Sequence, residues 1–435
     1  MTLSRTQFDR RMFLSSMAAG AALAMPISGR ASQPSWPVAR AGTPSEILAK
    51  DEAYWAEIAT YYDRTAGIVN LEHGYWGRMA HPVQDAYIQS TRMVNSQNSF
   101  YARKQFDVDE KESIRRVADE LGVHDDEIVL TRNATEAVHN LIRQYRGLKP
   151  GDTVLYADLD YPDFKTTMRW LQEARGVRLV ELVVPPRASQ EQLQELYLEA
   201  FDSNPDLRLM LVTHVSNQHG LVIPVQSIAK EAAKRGIDVI CDSAQSWGLL
   251  DFHLPSLNVD WAAFNLHKWI GAPLGVGALY MRRGSLHKIA PYPGEVDPDN
   301  NKTSTRVHMG THNFAAMLAI PEALDFHQAI GSARKEARLR YLRQLWTNEA
   351  ESMPHIELLG GLDEASWTGM ASFRMQGKAT AADANELQQR LEQQFEIFTV
   401  VRDGLASGHC VRITPQVFTT PSEMVQLVEA LKRLV

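Results

Sequence analysis

The sequence predicts an α/β protein with a mostly parallel, seven-stranded sheet in a large domain and a smaller α+β C-terminal domain. Two observations carry this. Short apolar runs alternate with amphipathic helical patterns between about residues 127 and 281, the spacing of strand–helix–strand units whose parallel strands are covered on both faces. From about residue 313 the pattern changes to long charged helices and then a strand–helix tail ending in SEMVQLVEALKRL.

The elements follow in order. Residues 1–41 read as an export signal and tether: DRRMFLSSMAAGAALAMPISGRA has a basic start, an uncharged run from Met12 to Gly29, then small residues. Arg10 and Arg11, followed by Met12, Phe13 and Leu14, match a twin-arginine signal, an address read by a receptor. The run is too short and too mildly apolar for a resident membrane anchor. The expectation is a periplasmic protein exported folded by the twin-arginine machinery. A Pro/Ser/Gly-rich stretch leads into an N-terminal segment, 42–95, opening with one helix over EILAKDEAYWAEIATYY. The large domain, 96–312, carries seven strands: EIVLT (127–131), TVLYA (153–157), VRLVELV (177–183), RLMLVTH (208–214), DVICD (238–242), WAAFN (261–265) and VGALYM (276–281). Its helix VQSIAKEAAKRG stops at Gly236. The smaller domain is 313–435.

Composition narrows the function. A chain of 435 residues, 44% hydrophobic, can bury a large core. A net charge of -7 without a basic stripe excludes the cationic surface that nucleic acid demands. Cys241 and Cys410 make no disulfide framework, and no Cys/His cluster has metal-ligand spacing. His308 and His312 stand at helical spacing without further ligands, as loop or core residues would.

In open α/β sheets ligands sit at the carboxyl ends of strands, and the polar residues there form a set. Asp242 ends DVICD; Asn265, His267 and Lys268 end or follow WAAFN; Asn217 follows RLMLVTH; Asp160 and Tyr161 follow TVLYA; Asn133, Ala134 and Thr135 follow EIVLT. Asn133, with Glu136 three residues on, caps a helix whose free amides suit an anion. The glycines of GAPLGVG are no dinucleotide fingerprint, because a strand rather than a helix follows them. A lysine in an apolar, aromatic cleft loses enough solvation to be a nucleophile near neutrality. Pyridoxal phosphate needs such a lysine, a carboxylate for its pyridine nitrogen, a phosphate cradle and a flat group on its ring. Lys268, Asp242, the Asn133 helix and Tyr161 supply these in turn.

This order of motifs resembles the class V aminotransferase family of fold type I pyridoxal-phosphate-dependent transferases, over nearly all of the chain beyond the signal. The segments are VNLEHGYWG (69–77), TRNATEAV (131–138), LDYPDF (159–164), THVSNQHGLVIPV (213–225), CDSAQSWG (241–248), FNLHKWIGAPLGVG (264–277), MGTHN (309–313) and VRITPQVF (411–418). The CDSAQ and HKW pair is the specific part. The resemblance implies that Lys268 joins the cofactor as a Schiff base and Asp242 pairs with its ring nitrogen, and that Gln245 and Asn217 meet the ring oxygen or the substrate. Ala134, Thr135 and His267 would hold the phosphate beside Asn133. Tyr161 stands where many relatives stack a histidine, and Asn265 where they place a phosphate-binding serine. Thr311 resembles the residue that reaches the partner subunit's phosphate, which implies a homodimer with composite sites. Arg412 matches the arginine that grips a substrate carboxylate, a task its guanidinium fork suits.

A class V chain with a twin-arginine signal is similar to the periplasmic branch of the family that matures pyoverdine siderophores. That likeness implies a siderophore precursor peptide as substrate, its glutamate joined through the side-chain carboxyl and converted to succinamide with loss of the α-carboxyl carbon. The alternative is an epimerase or aminotransferase acting on another amino acid or amino-acid-bearing peptide. A large substrate needs an open cleft, for which Tyr75, Trp76, Phe100 and Tyr101 are candidate walls. Desulfuration needs a mobile cysteine; Cys410 alternates with Arg412 along one strand, but a cysteine embedded in a strand reads as core.

Overall fold

The computed structural model describes residues 42–297 and 301–434. The expected export signal and tether lie outside the described residues. The first strand, β1 (Val69–Asn70), belongs to the N-terminal segment. All seven expected strands then form, each within one residue of its apolar run apart from two short additions: β2 (Ile128–Thr131), β3 (Thr153–Ala157), β4 (Arg178–Leu182), the two-residue β5 (Arg187–Ala188), β6 (Leu207–Thr213), β7 (Asp238–Asp242), β8 (Trp261–Asn265) and β9 (Gly277–Met281). They make one sheet in the order β2-β9-β8-β7-β6-β3-β4, with β1 and β5 elsewhere. Neighbours from β4 to β8 run parallel, whereas β9 lies antiparallel to both β2 and β8.

Most of these strands are readable because they are buried on both faces; the edge strand β4 is mostly exposed or half-buried. Every residue of β2, β3, β8 and β9 is buried. Val154, Leu209, Leu211, Ile240, Trp261 and Leu279 pack with Ala137, Val138 and Leu141 of the helix Ala134–Gln144 in one cluster. Each such aliphatic side chain contributes about 1.5–3 kcal/mol when fully buried.

The remaining strands are β10 (Ile356–Gly361), β11 (Ala371–Met375), β12 (Ile397–Phe398), β13 (Val400–Arg402) and β14 (Cys410–Ile413). A second sheet has the order β13-β14-β11-β10-β5. β5 joins this sheet by pairing parallel with β10, while β1 pairs parallel with β12 in a separate two-stranded sheet. The N-terminal segment thereby reaches the C-terminal one, with Leu71 N–H donating to Phe398 O at 2.9 Å and Thr414 N–H to Leu71 O at 2.8 Å.

The helix expected over residues 46–62 is two helices, Ser45–Leu48 and Glu52–Ala59. Asp51 is the cause: its carboxylate accepts from Tyr54 N at 3.3 Å and starts the second helix, a role that suits Asp better than a helix interior. Trp55 then reaches back across the bend, Nε1 donating to Leu48 O at 2.7 Å. Among the described residues no helix is long and apolar enough to cross a membrane.

Candidate active site

The carboxyl ends of β2, β3, β6, β7 and β8 meet around a cavity of about 450 Å³. Of the residues expected from the sequence, Asn133, Ala134, Thr135, Tyr161, Asn217, Asp242, Gln245, Asn265, His267, Lys268 and Arg412 line it, as do the candidate walls Tyr75 and Trp76. Thr311 and Phe100 are exposed and do not line it, Asp160 is buried and accepts from Thr213 Oγ1, and Tyr101 is buried with its hydroxyl donating to Asp109. The lysine wall comes from β8 and the turn beyond it. Leu266 and His267 N–H donate to Val276 O at 3.1 and 3.3 Å, folding the chain back so that Asn265 pairs with Gly277 on β9. Only glycine fits at 277, since a Cβ there would lie 2.7 Å from both Asn133 Cα and Phe264 O.

Lys268 is half-buried in the cavity wall, and desolvation there lowers its pKa to about 8 against the opposing pull of Asp242. Roughly a tenth of the amine is then unprotonated at pH 7. Asp242, the last residue of β7, has its carboxyl raised by burial and held down by the Ala244 N–H, which donates to Oδ1 at 2.9 Å, and by Lys268.

The Lys268–Trp269 backbone is clamped from three sides. Gly77 N–H donates to His267 O at 2.8 Å, and its bare Cα presses so closely that a Cβ would sit 1.8 Å from Lys268 O. Trp269 Nε1 donates to Gln245 Oε1 at 2.8 Å, while Gln245 Nε2 donates to Gly74 O at 2.9 Å. Lys335, buried in the helix Ser332–Ala350, donates from Nζ to Trp269 O at 2.6 Å and lies 3.1 Å from His327 Nδ1. Gln245, expected to face the ring oxygen or substrate, does line the cavity, but both ends of its amide already hold protein groups.

The anion end is the start of helix Ala134–Gln144. Asn133 caps it, Oδ1 accepting from Glu136 N at 2.8 Å. Asn265 accepts from Ala134 N at 2.8 Å, so its NH2 is what remains to donate to an anion. Thr135, at the second helical position, offers an amide that helix geometry leaves free. His267 has its pKa lowered to about 4 by burial and by Lys268, and its Nδ1 lies 2.9 Å from Val276 O. A carbonyl only accepts, so Nδ1 carries the proton and neutral His267 turns an acceptor, Nε2, to the cavity; donation to phosphate needs the imidazolium, which phosphate charge favours.

At the opposite end Arg412 is fully buried. Its guanidinium donates to Asn217 O and to Glu72 Oε1, both at 2.6 Å, and Gly74 leaves room for it, since a Cβ would meet its NH2 at 2.6 Å. Tyr161 starts the helix Pro162–Arg175 and sits edge-on to Phe164, ring centroids 5.2 Å apart. A depressed amine, a buried carboxylate, a helix-start anion cradle and a partly exposed aromatic ring thus suit the binding of pyridoxal phosphate. Neither cysteine lines the cavity: Cys410 and Cys241 are buried, with thiols pushed up to about 11 and about 12. Such thiols are inert at neutral pH.

Sequence reasoning missed Glu72, Gly74, Gly77, Lys335 and Arg402. The first three lie inside the quoted motif VNLEHGYWG, where a Glu and two glycines beside aromatics were a usable signal. Arg402 and Lys335 carried none beyond their charge.

The family model "Aminotransferase class-V" matches residues 79–415. Isopenicillin N epimerase of Amycolatopsis lactamdurans is 27% identical over 402 residues, covering 87% of the chain and 98% of the relative. A probable cysteine desulfurase of Xylella fastidiosa is 28% identical over 264 residues, 58% of the chain and 61% of the relative. Among solved structures, a cysteine desulfurase from Escherichia coli superposes with a TM-score of 0.74 at 20% identity, covering 87% of the chain and 98% of that structure. A cystine C–S lyase variant, with glycine covalently linked to its pyridoxal-phosphate cofactor, gives 0.74 at 21% identity over 85% and 97%. The two structures establish a shared fold.

Proposed function

The chain belongs to the class-V aminotransferase family, whose enzymes depend on pyridoxal phosphate, and on that premise we propose that it is a periplasmic enzyme of pyoverdine siderophore maturation. Its substrate is a precursor peptide whose glutamate is attached through the side-chain carboxyl, and the product is the succinamide. The conversion balances as R–CH(NH2)–COOH + O2 → R–CO–NH2 + CO2 + H2O, with dioxygen as oxidant.

The observation that carries this reading is the placement of Lys268 and Arg412 in one cavity. Such a glutamate keeps its amino and α-carboxyl groups free, one for each end. Pyridoxal phosphate, which Lys268 would hold, would supply an aldehyde for the amine and a ring that accepts electrons released at the α-carbon. Lys268 would also hold or return a proton at Nζ, and a pKa of about 8 suits both tasks near neutrality. Asp242 offers a buried carboxylate to the pyridine nitrogen. Arg412 receives the α-carboxylate in competition with Glu72, which now occupies its NH2 at 2.6 Å. The absence of both cysteines from the cavity lining disfavours sulfur transfer.

The full-length likeness to an epimerase favours a second reading, removal and return of the α-proton of another amino acid. One experiment separates them: purified protein is incubated in air with a siderophore precursor bearing side-chain-linked glutamate, and the product is weighed by mass spectrometry. Loss of one carbon with nitrogen retained supports the tailoring reaction. A keto product means transamination, and an unchanged mass with inverted configuration means epimerisation; either sinks the siderophore assignment.

A further inference from the structure

Two arginines and one carboxylate meet where the reaction cavity joins a neighbouring space of about 480 Å³. Arg402 and Arg412 line the reaction cavity, whereas Glu72 lines the neighbouring space, which Arg402 also borders. Glu72 Oε1 lies 2.6 Å from Arg412 NH2 and 3.6 Å from Arg402 NH2. Its other oxygen accepts a long bond, 3.4 Å, from Thr414 Oγ1. The backbone of Glu72 is pinned, its N–H donating to Asn70 Oδ1 at 2.9 Å and the residue bridged to Thr414. Any motion of its carboxylate is therefore a motion of the side chain alone.

Arg402 is placed to receive that carboxylate. It ends β13, which pairs with the strand carrying Arg412, and its Nε has no hydrogen-bond partner among the described residues. Among those residues Glu72 is the one carboxylate at ion-pair distance from it; Asp403, next in the chain, is exposed. The other cation of the neighbouring space, Arg78, already donates to Asp63 O and Thr65 Oγ1, and burial keeps His73 uncharged, lowering its pKa to about 4. A substrate α-carboxylate arriving at Arg412 meets Glu72 on NH2, and two carboxylates on one nitrogen repel. A shift of about 1 Å (3.6 less 2.6) carries Glu72 onto Arg402.

Resting on the function proposed above, we propose that Glu72 occupies Arg412 in place of the substrate's α-carboxylate, and that Arg402 is the seat to which Glu72 withdraws when the substrate binds. Arg402 is then a positioning residue, acting on the substrate through Glu72. One ion pair is exchanged for another as the carboxylate enters. Arg412, fully buried, is never left as an unpaired cation, a state that is strongly destabilising inside a protein.

The test uses the cofactor-loaded enzyme with L-glutamine, the simplest side-chain amide of glutamate, and L-glutaminamide, in which the α-carboxylate is an amide too. Each is titrated while the cofactor's visible absorbance reports amine exchange, and the ratio of the two dissociation constants isolates the carboxylate's interaction. Glu72→Gln should shift this ratio toward the acid by roughly fivefold or more, and Arg402→Leu should shift it comparably toward the amide, the scale of coupling between charged neighbours. In Glu72→Gln/Arg402→Leu the second substitution should change nothing further, because Arg402 has lost the group it acts through. A ratio shifted toward the amide in Glu72→Gln would overturn the proposal, since Glu72 would then hold Arg412 in shape for the substrate. So would a double variant that loses the acid as Arg402→Leu does alone, which means that Arg402 touches the carboxylate directly. An equal effect of Arg78→Leu would also sink it, by making the seat no property of Arg402. Should Glu72→Gln fail to fold, Arg402→Leu decides alone: a shift toward the amide supports the seat and an unaltered ratio removes it. If neither probe changes the wild-type spectrum, the amine-exchange premise is wrong and the seat falls with it.

Discussion

Gly77→Ala should disable the enzyme while leaving it folded. A Cβ at this position would lie 1.8 Å from Lys268 O and 2.8 Å from Lys268 C, whereas ordinary contact starts at 3.4 Å. The shortfall of about 1.6 Å (3.4 less 1.8) falls on backbone, which cannot swing aside as a flexible side chain would. If the Lys268 carbonyl yields, the amine moves with it. If residues 74–78 recoil instead, the Gly77 bond to His267 O breaks and Gly74 moves off Arg412. A displacement near 1 Å at a reacting group costs about 10²-fold, so kcat/KM should drop by at least about 100-fold. Steady-state kinetics, the visible spectrum of the bound cofactor and circular dichroism together make the assay. A folded variant with kcat/KM within about threefold of wild type would refute the view that this contact positions Lys268.

Other outcomes follow from the same geometry. Lys268→Ala should lose both turnover and the visible absorbance of covalently held cofactor; an unchanged spectrum would remove Lys268 from the site. Asp242→Ala should stay folded by circular dichroism but lose catalysis, since the ring nitrogen is left without a partner, and wild-type rates would exclude that role. Burial depresses the Lys268 pKa to about 8 and only the neutral amine attacks an aldehyde, so cofactor uptake by stripped protein should quicken from pH 6 to about 8 and then level off; a flat profile contradicts this. Burial likewise lowers the Lys335 pKa to about 7 from an ordinary 10.5. Between those values the unfolded chain binds more protons than the folded one, so this group makes stability rise with pH across that window. Lys335→Met should flatten the difference in melting temperature between pH 6.5 and 8.5, and an unaltered slope would assign it to other groups.

Most of the seven strands could be read because two-sided burial turns them into nearly unbroken apolar runs, the edge strand β4 (RLVEL, mostly exposed or half-buried) being the exception, and the polar residues at their ends then mark the ligand face. That logic placed Asp242, Asn265, His267 and Lys268 without any contact information. It does not reach groups whose role arises from approach between distant segments. Glu72 matters because it meets Arg412, and Gly77 because it touches Lys268. Arg402 sits on a three-residue strand of intermediate burial, too short for a period to show. Lys335 lies in a helix so rich in Lys and Arg that its sequence suggests a solvated face, yet Lys335, Arg338 and Arg343 are all buried there. The bend at Asp51 shows local capping overriding a run of good helix formers.

The reach of residues 69–78 across to β12 and β14 also sets the order in which the site can come into being. Glu72 must wait for a partner 340 positions later in the chain, and the clamp around Lys268 draws on Gly77 near one end of the described chain and Lys335 well toward the other. Contacts so far apart in sequence close late, after the central sheet has its strands. A chain released unfinished from the ribosome would have Lys268 and Asp242 yet lack the strand that bears Arg412. A truncation ending before Cys410 should therefore hold cofactor poorly, so that colour distinguishes finished molecules from incomplete ones.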